Sequence, residues 1–225
     1  MSSDGAFDDY IEYELEISSN ASAPVRVLQD PTGASRTGVG STVWDAALVM
    51  AKYLDHQVSR GTLDLAGKLV VELGAGTGLV GLALARMQPG CRVVLTDKKE
   101  LVPLLRRNIA FNHAETNVQA QELDWTDDAA LESLGREVPD LVLVSDGVWA
   151  EELHKPLADT LRKLTDRSTR VLLAFESRNF AAEARFMALW GERFRFRDIK
   201  PADQHPVMQS EDIFLFDGQR KDIAS

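Results

Sequence analysis

The chain has 225 residues and a formal net charge of −10 at pH 7. Its length favours one enlarged domain over two, and 44% hydrophobic with 27% charged residues excludes a disordered or fibrous protein. The single cysteine, Cys91, excludes an internal disulfide and a paired-cysteine zinc site, and no apolar stretch is long enough for a membrane span. The excess of acidic residues disfavours nucleic acid as a partner. We expect a cytoplasmic protein, with the nucleus as a second location.

The first predicted element is a strand with a hairpin partner. Between Ile11 and Ile17, apolar residues alternate with glutamates, which is the period of a half-buried strand, and a second strand is expected around Val25 and Val27. A turn-rich stretch then leads to a helix over residues 43–54, with Ser41 near its cap. We therefore predict a β-hairpin extension with a linker over residues 1–40 and a main domain over residues 41–225.

From Lys68 onward, the hydrophobic period switches repeatedly between that of a strand and that of a helix. This alternation predicts an α/β fold with a doubly wound, mainly parallel sheet. The seven predicted strands are LVVEL, RVVLTD, residues 118–123, DLVLVSD, RVLLAFE, FRFRDI and DIFLF. No helical pattern separates the final two strands, so they are expected to pair antiparallel.

A glycine-rich loop follows the first of these strands. Gly74, Gly76 and Gly78 stand in ELGAGTG, between a predicted strand and a predicted helix, where a ligand can approach the backbone closely. Leu79 stands where a dinucleotide fingerprint has its third glycine, and no lysine follows as in a phosphate-binding P-loop. The alternative for such a loop is close packing of strand on helix without a ligand.

Asp97 ends the next strand, where a carboxylate can accept both hydroxyls of a ribose. Together with the glycine loop, this position favours a nucleoside-type cofactor without a pyrophosphate.

These features resemble the cofactor loop of class I S-adenosylmethionine-dependent methyltransferases, which have a Rossmann-like sheet of seven strands with an antiparallel last strand. More specifically, five further blocks resemble the seven-β-strand protein lysine methyltransferases, and among them the group that modifies valosin-containing protein. The resemblance runs from about Gly38 to about Phe216. The blocks are VGSTVWDAALVMAKYL, LDWTDD, DLVLVSDGVWAEEL, AFESR and SEDIFLF.

The resemblance implies S-adenosyl-L-methionine as the cofactor and no metal. Glu72 is the weaker candidate among the implied contacts, because its carboxylate could reach the methionine ammonium or only a backbone amide. The two tryptophans could pack on the adenine or the sulfonium, with burial in the core as the alternative. The implied cofactor contacts are Trp44, Glu72, Gly74, Ala75, Gly76, Asp97, Trp125 and Ser145.

The family also carries an acid, two variable residues and a Tyr or Phe after the fourth strand. Here the acid is Asp146 and the aromatic residue is Trp149, a departure that changes the width expected for a lysine channel. The resemblance implies catalytic roles for both: Asp146 would hold the substrate ammonium and Trp149 would line the channel. The alternative for Asp146 is a cap on the following helix.

The function expected from the resemblance is methyl transfer to a lysine of a protein, with valosin-containing protein, elongation factor 1A and an Hsp70-type chaperone as candidates, by a monomer. A small-molecule methyltransferase and a noncatalytic binding module with the same fold are the alternatives. A nucleobase amino-methyltransferase is disfavoured because Gly147 and Val148 replace the prolines of such enzymes. The histidines lack the spacing of zinc peptidases, and only His205, in a polar connection, is a weak substrate-side candidate.

Overall fold

The computed structural model describes residues 7–18, 23–34, 37–135 and 137–221, in which strands and helices alternate along most of the chain. The strands are β1 (Ile11–Leu15), β2 (Val25–Gln29), β3 (Leu69–Leu73), β4 (Arg92–Asp97), β5 (Val118–Glu122), β6 (Leu141–Ser145), β7 (Arg170–Glu176), β8 (Phe194–Asp198) and β9 (Ile213–Arg220). The α-helices are α1 (Asp45–Ser59), α2 (Leu79–Met87), α3 (Val102–Phe111), α4 (Asp128–Glu132), α5 (His154–Leu164) and α6 (Phe180–Arg193).

The large sheet has seven strands in the order β5-β4-β3-β6-β7-β9-β8. The first five are parallel, and β9 runs antiparallel to both of its neighbours, β7 and β8. The seven-stranded α/β fold predicted from the hydrophobic pattern is thus confirmed, including the antiparallel last strand. After β3, the chain adds β4 and β5 on one side of β3 and then β6 on the other side. Because the strand order reverses there, a crevice is expected between β3 and β6.

Both faces of the sheet are covered, because each strand of a mainly parallel sheet carries apolar side chains on both sides. All five residues of β3 are buried. On one face, Val70 joins a hydrophobic cluster with residues of α1, α2 and α3, and on the other face Val71 joins a second cluster with residues of α5 and α6. Within the described residues, no helix combines the length and apolar character needed to cross a membrane.

The N-terminal strands β1 and β2 pair antiparallel in a separate two-stranded sheet, as predicted, with Leu15 opposite Val25. Val25 and Val27 are fully buried in the cluster formed with α1, α2 and α3. Parts of the predicted extension, at residues 1–6, 19–22 and 35–36, lie outside the described residues. The division of the chain at residue 40 stays a prediction.

The predicted role of Ser41 is wrong. Its hydroxyl donates to the carbonyl of Gly38, 2.8 Å away, and it closes a short 3₁₀ turn. Helix α1 begins later, at Asp45, with Trp44 at the cap position and no side-chain capping bond.

Candidate active site

A cavity of about 470 Å³ opens at the carboxyl ends of the parallel strands. Loops that follow β3, β4, β5, β6 and β7 contribute to its wall, together with the segment that precedes α1. All ten site residues predicted from the sequence line it. They are Trp44, Glu72, Gly74, Ala75, Gly76, Asp97, Trp125, Ser145, Asp146 and Trp149. Their individual roles stay predictions.

The glycines of the loop after β3 are required by both backbone conformation and space. Gly74, Gly76 and Gly78 have φ values of +65°, +57° and +79°, a region that residues with a side chain rarely adopt. A Cβ on Gly76 would lie 2.7 Å from the carbonyl oxygen of Gly40, and one on Gly74 would lie 3.0 Å from the ring of Trp125. The loop therefore brings bare backbone against the segment before α1 and into the cavity wall.

Asp97 ends β4 at the edge of this loop. One carboxylate oxygen accepts the backbone N–H of Gly76 at 2.8 Å, and the other accepts that of Lys98 at 2.7 Å. Burial raises the pKa of Asp97 to about 6, while the two backbone donors act in the opposite direction. Each oxygen keeps a lone pair for a second donor, which is the arrangement that a ribose diol requires.

Glu72 is fully buried within β3 yet lines the cavity. Its Oε2 accepts the backbone N–H of Gly81 at 2.8 Å, whereas its Oε1 has no hydrogen-bond partner among the described residues. Burial raises the pKa of Glu72 to about 8. A buried carboxylate with one oxygen unsatisfied is costly, and a cationic donor in the cavity would satisfy it.

Trp44 and Trp125 are both partly exposed, and both line the cavity. The Nε1 of Trp44 donates to the carbonyl of Val39 at 3.1 Å, which fixes its indole at the start of α1. Trp125 follows β5 and packs beside Gly74. Ala75 donates its N–H to Thr96 at 2.9 Å, and Ser145 ends β6 at the floor of the cavity.

Asp146 has a left-handed backbone, with φ of +55°, although it is not a glycine. Such a conformation is strained and is retained where surrounding contacts enforce it. Here the carboxylate accepts the N–H of Glu176 at 3.2 Å and forms two hydrogen bonds to the guanidinium of Arg178, at 3.0 and 2.8 Å. The alternative role as a helix cap is wrong, because the next helical turn has Ala150 at its cap position without a side-chain bond.

Arg178 is a site residue that sequence reasoning missed. It follows β7 in the block AFESR, pairs with both Asp146 and Glu176, and places its guanidinium carbon 5.1 Å from the ring centroid of Trp44. Its position in the sequence could have identified it, because a charged residue just after a buried parallel strand lies at the same edge of the sheet as Asp146.

Trp149 stands at the mouth of the cavity with 60% of its surface exposed. It lines both the main cavity and a smaller groove of about 260 Å³ beside it. Arg178 also lines both the cavity and the groove. The groove is lined in addition by Glu151, Glu152 and Glu176.

His205 is not brought to this site. It lies between β8 and β9, its ring centroid 6.1 Å from that of His56, and it is not among the residues that line the cavity.

The sequence profile of a family described as lysine methyltransferase matches residues 25–193. The chain is 35% identical over 175 residues to protein N-lysine methyltransferase METTL21A of Danio rerio, covering 76% of each chain. It is 33% identical over 192 residues to EEF1A lysine methyltransferase 3 of Mus musculus, covering 76% of this chain and 79% of that protein. Human N-acetylserotonin methyltransferase, solved in complex with S-adenosylmethionine, has a similar fold, with a TM-score of 0.51 at 15% identity over 77% of this chain and 55% of that one. The chain belongs to the lysine methyltransferase family, and its fold is that of the S-adenosylmethionine-dependent methyltransferases.

Proposed function

We propose that the protein transfers a methyl group from S-adenosyl-L-methionine to the side-chain amine of a lysine in another protein. The observation that carries this proposal is one continuous cavity that unites a nucleoside-type pocket with an exposed aromatic mouth. Gly76 and Asp97 lie where β3 and β4 end, and Asp146 and Trp149 lie where β6 leaves the sheet.

The residues that line the cavity near the ends of β3, β4 and β5 fit this cofactor. The unsatisfied Oε1 of Glu72 would accept the methionine ammonium, and the carboxylate of Asp97 would accept the ribose hydroxyls. Trp44 and Trp125 offer aromatic faces to the adenine or to the positive sulfur. When bound, the cofactor supplies a methyl carbon that is activated by its attachment to a sulfonium.

The protein's remaining task is to present a lysine amine in its neutral form and in line with that methyl carbon. A free lysine has a pKa near 10.4, and an apolar surrounding lowers the pKa by disfavouring the charged ammonium. The indole of Trp149 provides apolar surface at the mouth. No nucleophilic side chain of the protein is needed, and the amine proton leaves to water.

Elongation factor 1A is the first candidate substrate, supported by the similarity to a relative that is named for methylating EEF1A. Valosin-containing protein and an Hsp70-type chaperone are the further candidates. The net charge of −10 favours a basic surface around the target lysine. We propose that the protein acts as a monomer in the cytoplasm, with the nucleus as a second location.

The test is incubation of the purified protein with S-adenosyl-L-methionine and each purified candidate, followed by intact-mass and peptide mass spectrometry. The proposal predicts that one candidate gains methyl groups on a lysine, and that Asp97→Ala strongly reduces the gain at limiting cofactor. Methylation of a small molecule, with no protein accepted, would contradict it. Cofactor binding without transfer to any acceptor would favour the noncatalytic alternative.

A further inference from the structure

The ion pair of Arg178 with Asp146 lies at the junction of the cavity and the groove. The Asp146 side chain is only 4% exposed, whereas that of Arg178 is 37% exposed. Both carboxylate oxygens are engaged by the guanidinium, at 3.0 and 2.8 Å. Such a two-bond pair is the strong geometry for arginine and a carboxylate, and lysine cannot reproduce it.

The backbone that carries Arg178 is itself held in place. The carboxylate of Glu183 accepts the hydroxyl of Ser177 at 2.6 Å and the N–H groups of Arg178 and Asn179, each at 2.7 Å. Burial acts to raise the pKa of Glu183, but these bonds together outweigh burial and lower the pKa, which keeps Glu183 charged. Arg178 therefore starts from a fixed point at the N-terminus of α6.

The same guanidinium lies over the indole of Trp44, 5.1 Å from the ring centroid. A cation over an indole face is attracted to it. Arg178 thus links a wall residue from the segment before α1 to the acid that follows β6.

We propose that Arg178 is a positioning residue for methyl transfer, which fixes Asp146 against the mouth and neutralises it, so that the acceptor amine meets an ion pair and not a free carboxylate. This inference rests on the proposed function and revises the expectation that Asp146 alone holds the substrate ammonium.

The physical reason concerns the proton on the acceptor. A carboxylate within about 4–6 Å of an ammonium raises the pKa of that ammonium by about 1–3 units, and a protonated amine has no lone pair to donate. A guanidinium bound to both oxygens offsets part of this field, and the same guanidinium also binds Glu176. The amine then loses its proton to water at a lower pH than it would beside a free Asp146.

Other charged groups face the pair from several elements. Glu176 at the end of β7 is bound to Arg178, Glu183 on α6 is bound to the adjacent backbone, and Glu151 and Glu152 line the groove. The cavity itself also carries Glu72, Asp97, Lys98 and Asp124. The acidic groups outnumber the cations, so removal of Arg178 leaves a strongly acidic mouth.

The test compares Arg178→Gln and Arg178→Lys with the wild type. The matched control is Arg92→Gln, which removes an exposed ion pair with Glu137 at the start of β4, the opposite end of that strand from the cavity. Labelled S-adenosyl-L-methionine and a dilution series of total cell extract give the initial rate and the half-saturating extract concentration from about pH 6.5 to about pH 9.5, a range that brackets the expected titration of the acceptor.

For Arg178→Gln we expect a rate near pH 7 that is lower by about tenfold or more, and a rising limb displaced by about one pH unit or more to higher pH. The half-saturating concentration should be no higher than that of the wild type. Arg178→Lys, which keeps the charge, should show a smaller displacement in the same direction and carries the test if Arg178→Gln folds poorly. Arg92→Gln should match the wild type.

A readout independent of activity is thermal unfolding without cofactor. Arg178→Gln should lower the Tm because it strands the Asp146 carboxylate, and adding Asp146→Asn should restore part of the loss. A uniform loss of rate with an unchanged pH profile would overturn the proposal in favour of a purely structural role. A wild-type protein that labels no protein lysine would instead overturn the proposed function, and this proposal with it.

Discussion

Glu72 is the one residue of β3 that brings an ionisable side chain into the buried sheet. Its neighbours in the adjacent strands are Leu95 and Leu143, so these described strands place no opposite charge beside it. Desolvation is therefore the main cause of its raised pKa, and the nearby Asp97 adds to the shift. At neutral pH, the protein without cofactor holds Glu72 largely protonated.

This shift predicts a pH-dependent stability. The pKa of Glu72 is about 8 in the folded chain and about 4.5 when unfolded. The folded state therefore binds the proton more tightly, and the stability it contributes is present below about pH 4.5 and is lost as the pH rises through about 8. Denaturant unfolding without cofactor should show the wild type losing stability relative to Glu72→Gln between these limits. A constant difference between the two proteins at every pH would contradict the assignment.

Asp97 predicts the strength of cofactor binding. Because a hydrogen bond to a charged group contributes about 1.5–3 kcal/mol, Asp97→Ala should weaken S-adenosyl-L-methionine binding by about 10–100-fold. Isothermal titration calorimetry would measure the Kd. Glu115→Ala, which removes an exposed acid in the turn between α3 and β5, is the control and should leave the Kd unchanged. Equal affinities for the Asp97→Ala and wild-type proteins would remove Asp97 from the cofactor site.

At the scale of elements, the glycine loop and the segment before α1 are packed too closely for a side chain. The carbonyl of Gly40 occupies the space that a Cβ of Gly76 would need. Gly40 lies 36 residues before Gly76 in the chain. The loop after β3 is therefore shaped by a contact with a distant turn as well as by its own sequence.

Gly76→Ala should consequently do more than strain the backbone. Gly61→Ala is a matched control, since Gly61 also has a positive φ, of +68°, but no described atom lies within 4 Å of the position that a Cβ would take there. The control should lose about 1–2 kcal/mol of unfolding free energy from backbone strain. Gly76→Ala should lose about 1–3 kcal/mol more because of the clash, and it should also bind the cofactor more weakly. Denaturant unfolding and calorimetry would check both, and equal losses in the two variants would contradict the packing argument.

The N-terminal sheet is attached to the main sheet through the side chains of α3. Asn108 accepts the N–H of Leu28 at 2.8 Å and donates to the carbonyls of Leu28 and Thr77, at 3.2 and 2.8 Å. Asn112 does the same for Arg26, accepting its N–H at 3.1 Å and donating to its carbonyl at 2.6 Å. The two amides thus satisfy the backbone groups of β2 on the edge away from β1, as a further strand would.

Asn108→Ala should destabilise the protein by about 2–4 kcal/mol, because it strands buried backbone groups of β2 and of the glycine loop. It should also speed hydrogen exchange at the amide of Leu28. Asn117→Ala, which removes one long bond of 3.3 Å to Cys91, is the control and should cost less than about 1 kcal/mol. Unchanged exchange at Leu28 would show that α3 does not hold β2 in solution.

At the scale of the whole molecule, the sheet explains why residues distant in sequence form one site. The parallel strands β3 to β7 all end at the same edge, so the residues that follow them share a cavity. The alternation of strand and helix patterns encodes this geometry, and it allowed Asp97 to be placed beside the glycine loop from sequence. Trp125 and Asp146 were assigned to the same site from the family resemblance.

Other features could not be predicted, because they depend on tertiary contacts. The insertion of β9 between β7 and β8 is a choice of strand neighbour, which local hydrophobic period does not encode. The pairing of Arg178 with Asp146 joins two loops and depends on side-chain conformations. Serine is a common helix-capping residue, but the hydroxyl of Ser41 donates to a carbonyl within a 3₁₀ turn before α1 begins.

Methyl transfer to a protein lysine is tested most directly by incubation of the purified protein with isotopically labelled S-adenosyl-L-methionine and cell extract. Every labelled residue is then mapped by mass spectrometry, with Asp97→Ala in parallel. We expect label on a lysine of one or a few proteins, and much weaker label with the variant at limiting cofactor. Cofactor binding with no label on any protein lysine would contradict this expectation.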